Sequence, residues 1–390
     1  MLGQLTFLLK PQKHELMKRE AFPIIDGHQH AVPMKVEIPM RIRNAQLFDI
    51  EGPPGQQFMT QKFINWSRPI SHPTFFINNE RLEMMEAFNI EHAIILTLSQ
   101  MYCNGFDEIR TYELMSFQND FNCTLQENYP SKFTTGFVVQ PRYRDQALKE
   151  IEKRSAEGFD FLCLPTHYER PDGTYVSCTD ENCQAIFKQA EEFGLAIQFH
   201  PYDYEKVMKN LIDVDSFWAG HVLGLQYLTA HLHYQLTCKN LHTKFKDVNF
   251  AFSHGNILAT ATMGRKTQAF DGRRDLFPEV SGRPADALFA PNLFSDLITH
   301  DPELILYLKA KGCLGNYFEG TDLPYPLGQG VWYVEGREKE YPGFMLDVAE
   351  QKGYITDIEN RMISCRTTPR WLYGDNAAAH LVLRNRIEGK

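Results

Sequence analysis

Short apolar runs rich in β-forming residues alternate with longer segments of helical periodicity along most of the chain. Runs of this kind are typical of parallel strands, which are buried on both faces, and the helical segments supply the connections between them. The alternation therefore predicts an α/β protein with eight parallel strands. They are expected near residues 22–25, 93–98, 134–139, 161–164, 196–199, 249–252, 293–297 and 317–319.

Helical periodicity is visible in several of the connecting segments. Within residues 81–88 apolar side chains recur at three-residue spacing, and residues 145–156 and 182–193 are further helix candidates. Another helix is expected to begin at Asp301, whose carboxylate can cap the following amides, while Pro302 suits the first helical turn.

Eight strand–helix units in about 300 residues predict a closed (β/α)8 TIM barrel. In such a barrel the reactive groups lie where the strands end and the loops begin. A doubly wound open sheet built from the same elements is the alternative fold.

The barrel is expected to be a single domain of residues 23–390, preceded by an N-terminal extension of residues 1–22. Two segments look like loop insertions into it. Residues 32–73 are rich in Pro, Gly and Gln, and residues 266–291 carry three arginines with several Gly and Pro. Both insertions are predicted to lie over the C-terminal mouth of the barrel. A C-terminal helical segment is predicted from about residue 340.

Composition and charge narrow the function classes. The chain has 390 residues, of which 43% are hydrophobic and 23% charged, as in a soluble globular enzyme. The 40 basic and 49 acidic side chains give a net charge of −9, so no basic surplus exists to neutralise nucleic acid or an anionic membrane. No apolar run approaches the roughly 20 residues that span a bilayer, and the sparse cysteines predict reduced thiols. We therefore expect a cytoplasmic protein whose partner is a small molecule.

The strongest chemical signal lies at the end of the first predicted strand, in the sequence Asp26-Gly27-His28-Gln29-His30. Side chains two residues apart along an extended chain point to the same side, so both imidazoles can face one cation. Asp26 can fix the orientation of a metal ligand by forming a hydrogen bond with it. A histidine pair of this kind also occurs in ordinary polar loops and is weak on its own.

Three further side chains follow predicted strands at the same end, namely His200, His254 and Asp322. A ring of parallel strands would gather them at one point. Each has an ordinary alternative: a core histidine bonded to a carbonyl, a helix cap and a turn initiator, respectively. Together with the histidine pair they predict a site for Zn²⁺ or Mn²⁺, with one coordination position left for water or substrate.

Several short motifs occur in a fixed order along the chain: DGHQH (26–30), LPTH (164–167), FHPYD (199–203), HG (254–255), THDP (299–302) and GTDLPYPLG (320–328). This ordered set resembles the amidohydrolase superfamily, and within it looks like the aminocarboxymuconate-semialdehyde decarboxylase family. The resemblance runs from about residue 24 to residue 328, most of the chain, and the ordered set is far more specific than the histidine pair alone.

The resemblance implies a metal-dependent carboxy-lyase that removes CO₂ without oxidation from an aromatic or dienoic acid with hydroxy or amino substituents. His254 would stand beside a metal-bound water and handle the proton. Binuclear members of the superfamily use a carbamylated lysine on the fourth strand, and residues 159–168 contain no lysine, so one divalent metal is expected. Zn²⁺ is favoured and Mn²⁺ is the alternative. The implied metal ligands are His28, His30, His200 and Asp322.

The resemblance also implies substrate-binding residues. Arg265 lies eleven residues after His254, where the family has an arginine that reaches across a dimer interface to a substrate carboxylate, so a homodimer is expected. The alternative is a surface arginine after a helix. Trp218 falls in an aromatic active-site region, or packs as a core residue. His167 is counted among these residues because it matches a family position. The simpler interpretation is that His167 forms a hydrogen bond next to the metal ligands and contacts neither metal nor substrate.

The substrate itself stays open. Gly255-Asn256-Ile257 stands where the close family has a run of glycines, and both insertions look different from the family's loops. The same cation site also suits a hydrolase of C–N or C–C bonds or a hydratase, and a metal-stabilised protein without catalysis is a third interpretation. The candidates for a second carboxylate-binding arginine are Arg41, Arg43 and Arg68.

Overall fold

Eight parallel strands form a closed barrel in the order in which they occur in the chain. The computed structural model describes residues 23–202, 219–280 and 282–365. The strands are β1 (Ile24–His30), β2 (Ile90–Leu96), β3 (Phe133–Thr135 and Phe137–Val138), β4 (Phe161–Pro165), β5 (Ala196–His200), β6 (Phe250–Phe252), β7 (Leu293–Asp296) and β8 (Tyr317–Phe318). Each pairs in parallel with the next.

β8 returns to β1 and closes the barrel. The Gly27 amide donates to the carbonyl of Glu319 at 2.9 Å, and Gln29 forms a parallel bridge with Leu323. β3 is divided at Gly136, so that its first segment pairs with β2 and its second with β4. The predicted (β/α)8 barrel is confirmed, and the doubly wound alternative is excluded because an open sheet has two unpaired edge strands.

The strand bounds differ from the predicted ones where polar residues lie inside strands. β1 continues to His30, because its polar side chains are buried and bonded across the barrel. β2 begins at Ile90 rather than at residue 93, because His92 is buried and its Nε2 lies 2.9 Å from the hydroxyl of Thr134. Polar residues with partners inside the barrel therefore hide strand ends from an apolar pattern.

Helices cover the outside of the barrel. The helix start at Asp301 is as predicted, since Asp301 Oδ1 accepts the N–H of Glu303 at 2.9 Å and Pro302 occupies the first turn. The α-helices are Met40–Asn44, Asn79–Ala87, Glu108–Asn128, Arg144–Ala156, Glu181–Phe193, Leu225–Cys238, Leu241–Lys244, Ile257–Ala261, Met263–Gly272, Pro302–Ala310, Phe344–Gln351 and Asp357–Ser364. Short 3-10 turns lie at Lys35–Glu37, Lys62–Ile64, Pro73–Phe75, Ser99–Tyr102, Pro141–Tyr143, His254–Asn256, Arg274–Leu276, Pro284–Phe289 and Leu314–Asn316, and a π-helical turn at Ala219–Gly224.

The largest apolar cluster lies between the strands and the helices that follow them. Phe161, Ile197 and Phe250 on β4, β5 and β6 belong to one cluster with Ile151 and Phe187 of the helices that follow β3 and β4. All five side chains are fully buried, and burial of each contributes about 1.5–3 kcal/mol. This shell fixes the strand ends on which the site is built.

The first insertion contains a three-stranded antiparallel sheet made of Asp49–Glu51, Phe58–Gln61 and Trp66–Pro69. Its apolar side chains form a cluster that includes Tyr325 from the loop after β8. Because that loop lies at the carboxyl end of the barrel, the insertion packs beside the C-terminal mouth.

The remaining segments pack against outer helices. The second insertion has a small apolar cluster of Phe270, Phe277 and Val280. Between residue 340 and residue 365, where the described part ends, lie two helices, and they belong to one apolar cluster with the helix that follows β7. Among the described residues, no helix combines the length and the apolarity that crossing a membrane requires.

Candidate metal centre

Five predicted side chains converge at the carboxyl end of the barrel. They lie at or just after the ends of β1, β5, β6 and β8, and all are buried. Apart from His30, their ligand atoms lie within 4.8 Å of one another. His30 joins them because its Nε2 lies 3.1 Å from Nε2 of His28 and 3.2 Å from Oδ1 of Asp322. The five residues are His28, His30, His200, His254 and Asp322.

An aspartate that the sequence analysis did not single out holds His28 in place. Oδ2 of Asp296, at the end of β7, accepts the Nδ1–H of His28 at 2.7 Å, and both side chains are completely buried. This bond keeps a proton on Nδ1, so Nε2 is the nitrogen left to face a cation. The same carboxylate accepts the backbone N–H groups of His254 at 3.0 Å and Gly255 at 2.7 Å. Asp296 therefore fixes the ends of β1 and β6 relative to each other.

One sequence signal could have pointed to Asp296. It is a carboxylate within the mainly apolar run 293–297, and a charge that is buried in a strand needs partners. The pattern alone could not name those partners, because His28 lies 268 residues away along the chain.

A second buried carboxylate ties β1 to the loop after β8. Asp26 accepts the hydroxyl of Thr321 at 2.5 Å, the amide of Thr321 at 3.0 Å and the side-chain amide of Gln29 at 2.6 Å. Gly320 permits the close approach of this loop, since a Cβ there would lie 2.8 Å from the Cβ of Asp296. Asp26 thus connects the two chain segments that carry three of the predicted ligands.

Two of the five residues have left-handed backbone conformations. The φ angle is 60° at His254 and 59° at Asp322, which costs on the order of 1–3 kcal/mol each for residues other than glycine. Surrounding bonds hold both in place. The amide of Asp322 donates to the carbonyl of His28 at 2.8 Å, and Nε2 of Gln226 donates to the carbonyl of His254 at 2.7 Å. Such strain clusters at functional sites.

Burial and mutual contact set the charges of the site. Burial lowers the pKa of His30 to about 4 and holds the pKa of His200 well below its usual value. Burial alone would raise the pKa of Asp322, but its interaction with His30 and the other imidazoles outweighs that effect and lowers the pKa to about 2. At neutral pH His30 and His200 are therefore neutral and Asp322 is ionised. These are the protonation states in which imidazoles and carboxylates bind metals.

The pKa values of His254 and His28 are shifted in opposite directions. Burial lowers the pKa of His254, and the nearby charge of Asp322 compensates only in part. Burial also acts to lower the pKa of His28, but the hydrogen bond with Asp296 and the surrounding carboxylates raise the net value. Among these imidazoles His28 is therefore the one at which protons compete most with a cation.

Polar atoms of the cluster face inward without hydrogen-bond partners. Nδ1 of His200 lies 2.8 Å from the carbonyl of Pro201, as the core-histidine alternative expects, but Nε2 has no partner within the described ranges. The Nε2 atoms of His28 and His30 face each other at 3.1 Å, so at most one of them can be a donor. Unpaired buried nitrogens are costly, and a cation would satisfy them. Imidazole nitrogens with one carboxylate suit Zn²⁺ or Mn²⁺, so the residues present fit the predicted metal.

The three predicted substrate-binding residues lie in different surroundings. Arg265 is exposed on an outer helix, so it is available to another molecule, as a role across a dimer interface requires. His167 is buried and stacked on Tyr202, with 5.5 Å between ring centroids, and its Nδ1 lies 3.1 Å from the hydroxyl of Thr166. Burial lowers the pKa of His167 to about 3, so the ring is neutral. Trp218 lies outside the described residues.

Two curated relatives are similar to the chain, whereas no protein-family model matches it. The 2-amino-3-carboxymuconate-6-semialdehyde decarboxylase of Dictyostelium discoideum is 21% identical over 252 residues, which are 64% of this chain and 67% of the relative. The enzyme of the same name from Caenorhabditis elegans is 26% identical over 142 residues, which are 36% of this chain and 34% of that relative.

Solved structures share the fold. 5-Carboxyvanillate decarboxylase LigW from Sphingomonas paucimobilis has a TM-score of 0.69 at 14% identity, covering 90% of this chain and 99% of that chain. A second structure is a dihydroxybenzoic acid decarboxylase from Polaromonas sp. JS666, solved with bound manganese and the inhibitor 2-nitroresorcinol. It has a TM-score of 0.66 at 13% identity, and the match covers 90% of this chain and 97% of that chain. These likenesses show that the chain shares the barrel fold of these enzymes.

The predicted resemblance to the amidohydrolase superfamily, and within it to aminocarboxymuconate-semialdehyde decarboxylase-like enzymes, is confirmed. The relatives and solved structures named above are all decarboxylases. Their class agrees with the carboxy-lyase that the motifs predict.

Proposed function

We propose that the protein is a divalent-metal-dependent decarboxylase of an aromatic or dienoic carboxylic acid that carries a hydroxy or amino substituent. The observation that carries this proposal is the buried cluster of four imidazoles and one carboxylate at the carboxyl ends of the strands. The names of the similar enzymes support the same reaction class.

In this proposal four of the five residues hold the ion, and Zn²⁺ is favoured over Mn²⁺. When bound, the ion supplies Lewis-acid binding of the substrate carboxylate and a neighbouring oxygen. Asp296 keeps His28 in the tautomer that presents Nε2, and Asp26 keeps the two ligand segments together. The ligands are His28, His30, His200 and Asp322.

His254 is the proposed proton donor. Its ring centroid lies 4.8 Å from that of His200, and its Nδ1 has no hydrogen-bond partner among the described residues. Decarboxylation replaces the carboxylate by a proton: the ring or chain carbon accepts the proton, the C–C bond breaks, its electron pair stays with the organic fragment, and CO₂ leaves. Because burial lowers the pKa of His254, its protonated form gives up a proton readily, and the neutral ring recovers one from solvent.

Among the three candidate arginines of the first insertion, Arg68 has the surroundings of a substrate-binding residue. Its guanidinium carbon lies 4.5 Å above the ring of Tyr325, whose centroid is 5.2 Å from that of His30. Arg41 is exposed on a short helix that also carries Arg43. We infer that Arg68 binds a carboxylate or ring oxygen of the substrate by bidentate contact. Its expected signature is an increase of KM in Arg68→Lys.

Tyr325 completes this wall of the site. Its hydroxyl is buried and has no hydrogen-bond partner among the described residues, so it can bond to a substrate oxygen. In the same proposal the protein is a homodimer, and the exposed Arg265 of one protomer binds the substrate carboxylate held by the other.

The test is a screen of hydroxy- and amino-substituted aromatic and muconate-type acids for metal-dependent release of CO₂ in H₂¹⁸O. Decarboxylation predicts CO₂ without ¹⁸O in the organic product. The matched controls are the metal-free protein, which should be inactive, and His254→Ala, whose turnover should be lower by a factor on the order of 10² or more. Turnover that places ¹⁸O in the organic product would instead identify a hydrolase or hydratase, and equal turnover by His254→Ala would remove this residue from the mechanism.

A further inference from the structure

A completely buried arginine lies behind the proposed ligands. Arg81, in the helix Asn79–Ala87, has no solvent exposure. Its Nη1 donates to the carbonyl of His30 at 2.7 Å and to that of Thr74 at 2.9 Å, and its Nη2 donates to Oε1 of Gln29 at 2.5 Å. One guanidinium therefore holds both the backbone of a proposed ligand and the side chain next to it.

The network continues from this arginine to the loop after β8. Gln29 donates through Nε2 to Asp26 at 2.6 Å, and Asp26 accepts both the hydroxyl and the amide of Thr321. Thr321 directly precedes the proposed ligand Asp322. A continuous path of buried hydrogen bonds thus runs from Arg81 behind β1 to the segment that presents the carboxylate ligand.

The shift of register in β1 makes this path possible. The pairing of β1 with β2 is irregular between Asp26 and Gln29. Bulges of this kind re-aim side chains next to active sites. The result is that two imidazoles face the barrel axis while the amide of Gln29 lies between Asp26 and Arg81.

Burial of the Arg81 guanidinium lowers the stability of the folded protein. Within the part of the chain that the structure describes, Arg81 forms no ion pair with a carboxylate at contact distance, and its Nε has no hydrogen-bond partner. Burial lowers the pKa of Arg81 to about 10, and the charge of Asp26 opposes that effect only in part. By contrast Arg154, a second fully buried arginine among the described residues, pairs with Glu150 at 2.6 Å and with Asp120 at 2.7 Å. A buried cation without direct charge compensation costs stability, which indicates that the position of Arg81 serves the site.

We propose that Arg81 is a positioning residue which, through the carbonyl of His30 and through Gln29, Asp26 and Thr321, holds the β1 and β8 ligands at the spacing that a divalent metal requires. The inference rests on the proposed metal site and adds residues outside the ligand set to it. Partners that orient ligands typically change metal affinity by about 10–100-fold when they are removed.

The experiment measures the dissociation constant for Zn²⁺ by competition with a chromogenic chelator, using the metal-free full-length protein, together with the free energy of unfolding. The variants are Arg81→Met and Gln29→Met, with Arg154→Met as the matched control that also loses a buried guanidinium. Both network variants should bind Zn²⁺ about 10–100-fold more weakly. Arg154→Met should lose stability but keep the wild-type dissociation constant.

Two further variants sharpen the result. Arg81→Lys keeps the charge but cannot bond to two acceptors with a planar fork, so its affinity should stay at least about tenfold below wild type. The double variant Arg81→Met/Gln29→Met should lose less than the product of the single losses, because both lie on one path. If Arg81→Met does not fold, Gln29→Met decides, since it removes no charge.

Wild-type affinity in folded Arg81→Met or Gln29→Met would overturn the inference and leave the metal site standing. A similar loss of affinity in Arg154→Met would also overturn it, because the effect would then be one of stability. Failure of the wild-type protein to bind Zn²⁺ or Mn²⁺ would instead refute the proposed metal site and the inference with it.

Discussion

Asp296→Asn is the most direct test of how the site is built. The carboxylate is buried and accepts four N–H groups: Oδ2 accepts those of His28 and His254, and Oδ1 accepts those of Gly255 and Ile298. Asparagine has nearly the same shape but only one acceptor oxygen. Whichever way the amide turns, two of the donors face an NH₂ group.

The structure gives the size of the effect. A hydrogen bond to a charged group is worth about 1.5–3 kcal/mol, so the loss of two such bonds costs about 3–6 kcal/mol before relaxation. If the amide oxygen stays with the short bond to Gly255, the NH₂ group faces Nδ1 of His28 and forces its proton to Nε2, the nitrogen that faces the other ligands. Metal affinity should then fall about 10–100-fold, or about 1.4–2.7 kcal/mol.

The assay is a Zn²⁺ titration of the metal-free variant against a competing chelator, with unfolding by urea measured in parallel. Glu150→Gln is the control, because this buried carboxylate on an outer helix also accepts two bonds, from Arg154 at 2.6 Å and from Asn119 at 2.9 Å. Wild-type Zn²⁺ affinity in Asp296→Asn, or an equal loss in Glu150→Gln, would refute the reasoning.

Three further predictions follow from the same structure. His254→Ala should retain the metal, by elemental analysis, but lose turnover by a factor on the order of 10² or more; unchanged turnover would contradict the proton role. Removal of the metal with a chelator should lower the melting temperature, since free metal at 100 times its dissociation constant stabilises by about 2.7 kcal/mol, and a calorimetric scan without that shift would count against the site. Burial lowers the pKa of His92 from 6.5 to about 4, so the unfolded chain binds the extra proton and stability falls as pH decreases through this window, by about 2 kcal/mol at pH 5. Urea unfolding at pH 7 and pH 5 checks this, and His92→Gln should show a smaller difference than wild type.

Three of the side chains that the structure brings together share one property in the sequence. Each of His200, His254 and Asp322 lies within a few residues of the end of a predicted strand, so a pattern of strands places it at the carboxyl end of the barrel without any knowledge of contacts. Asp296 and Arg81 have no such marker. They lie inside an apolar run and within a helix, where a charged residue gains its meaning only from the partners that the fold supplies.

The choice among the candidate arginines shows the same limit. Arg41, Arg43 and Arg68 look alike in sequence, since all three fall in an insertion of mixed composition. Packing of the antiparallel sheet beside the loop after β8 sets Arg68 over Tyr325. The contact between Arg68 and Tyr325 depends on strand pairing within the insertion. Hydrophobic periodicity in the sequence does not predict which arginine that pairing places there.

The sequence by itself determined the alternation of strands and helices, hence the barrel, and the strand ends at which imidazoles and a carboxylate occur. These follow from local periodicity and chain order. Only the tertiary structure decided which nitrogen of His28 is left for a cation, which carboxylates hold the ligand segments, and how a buried guanidinium reaches the backbone of His30. The physical reason is that the hydrogen-bond partners in the site, such as Asp26 and Thr321, which lie 295 residues apart along the chain, are brought together by barrel closure and strand register, and neither can be read from a local pattern.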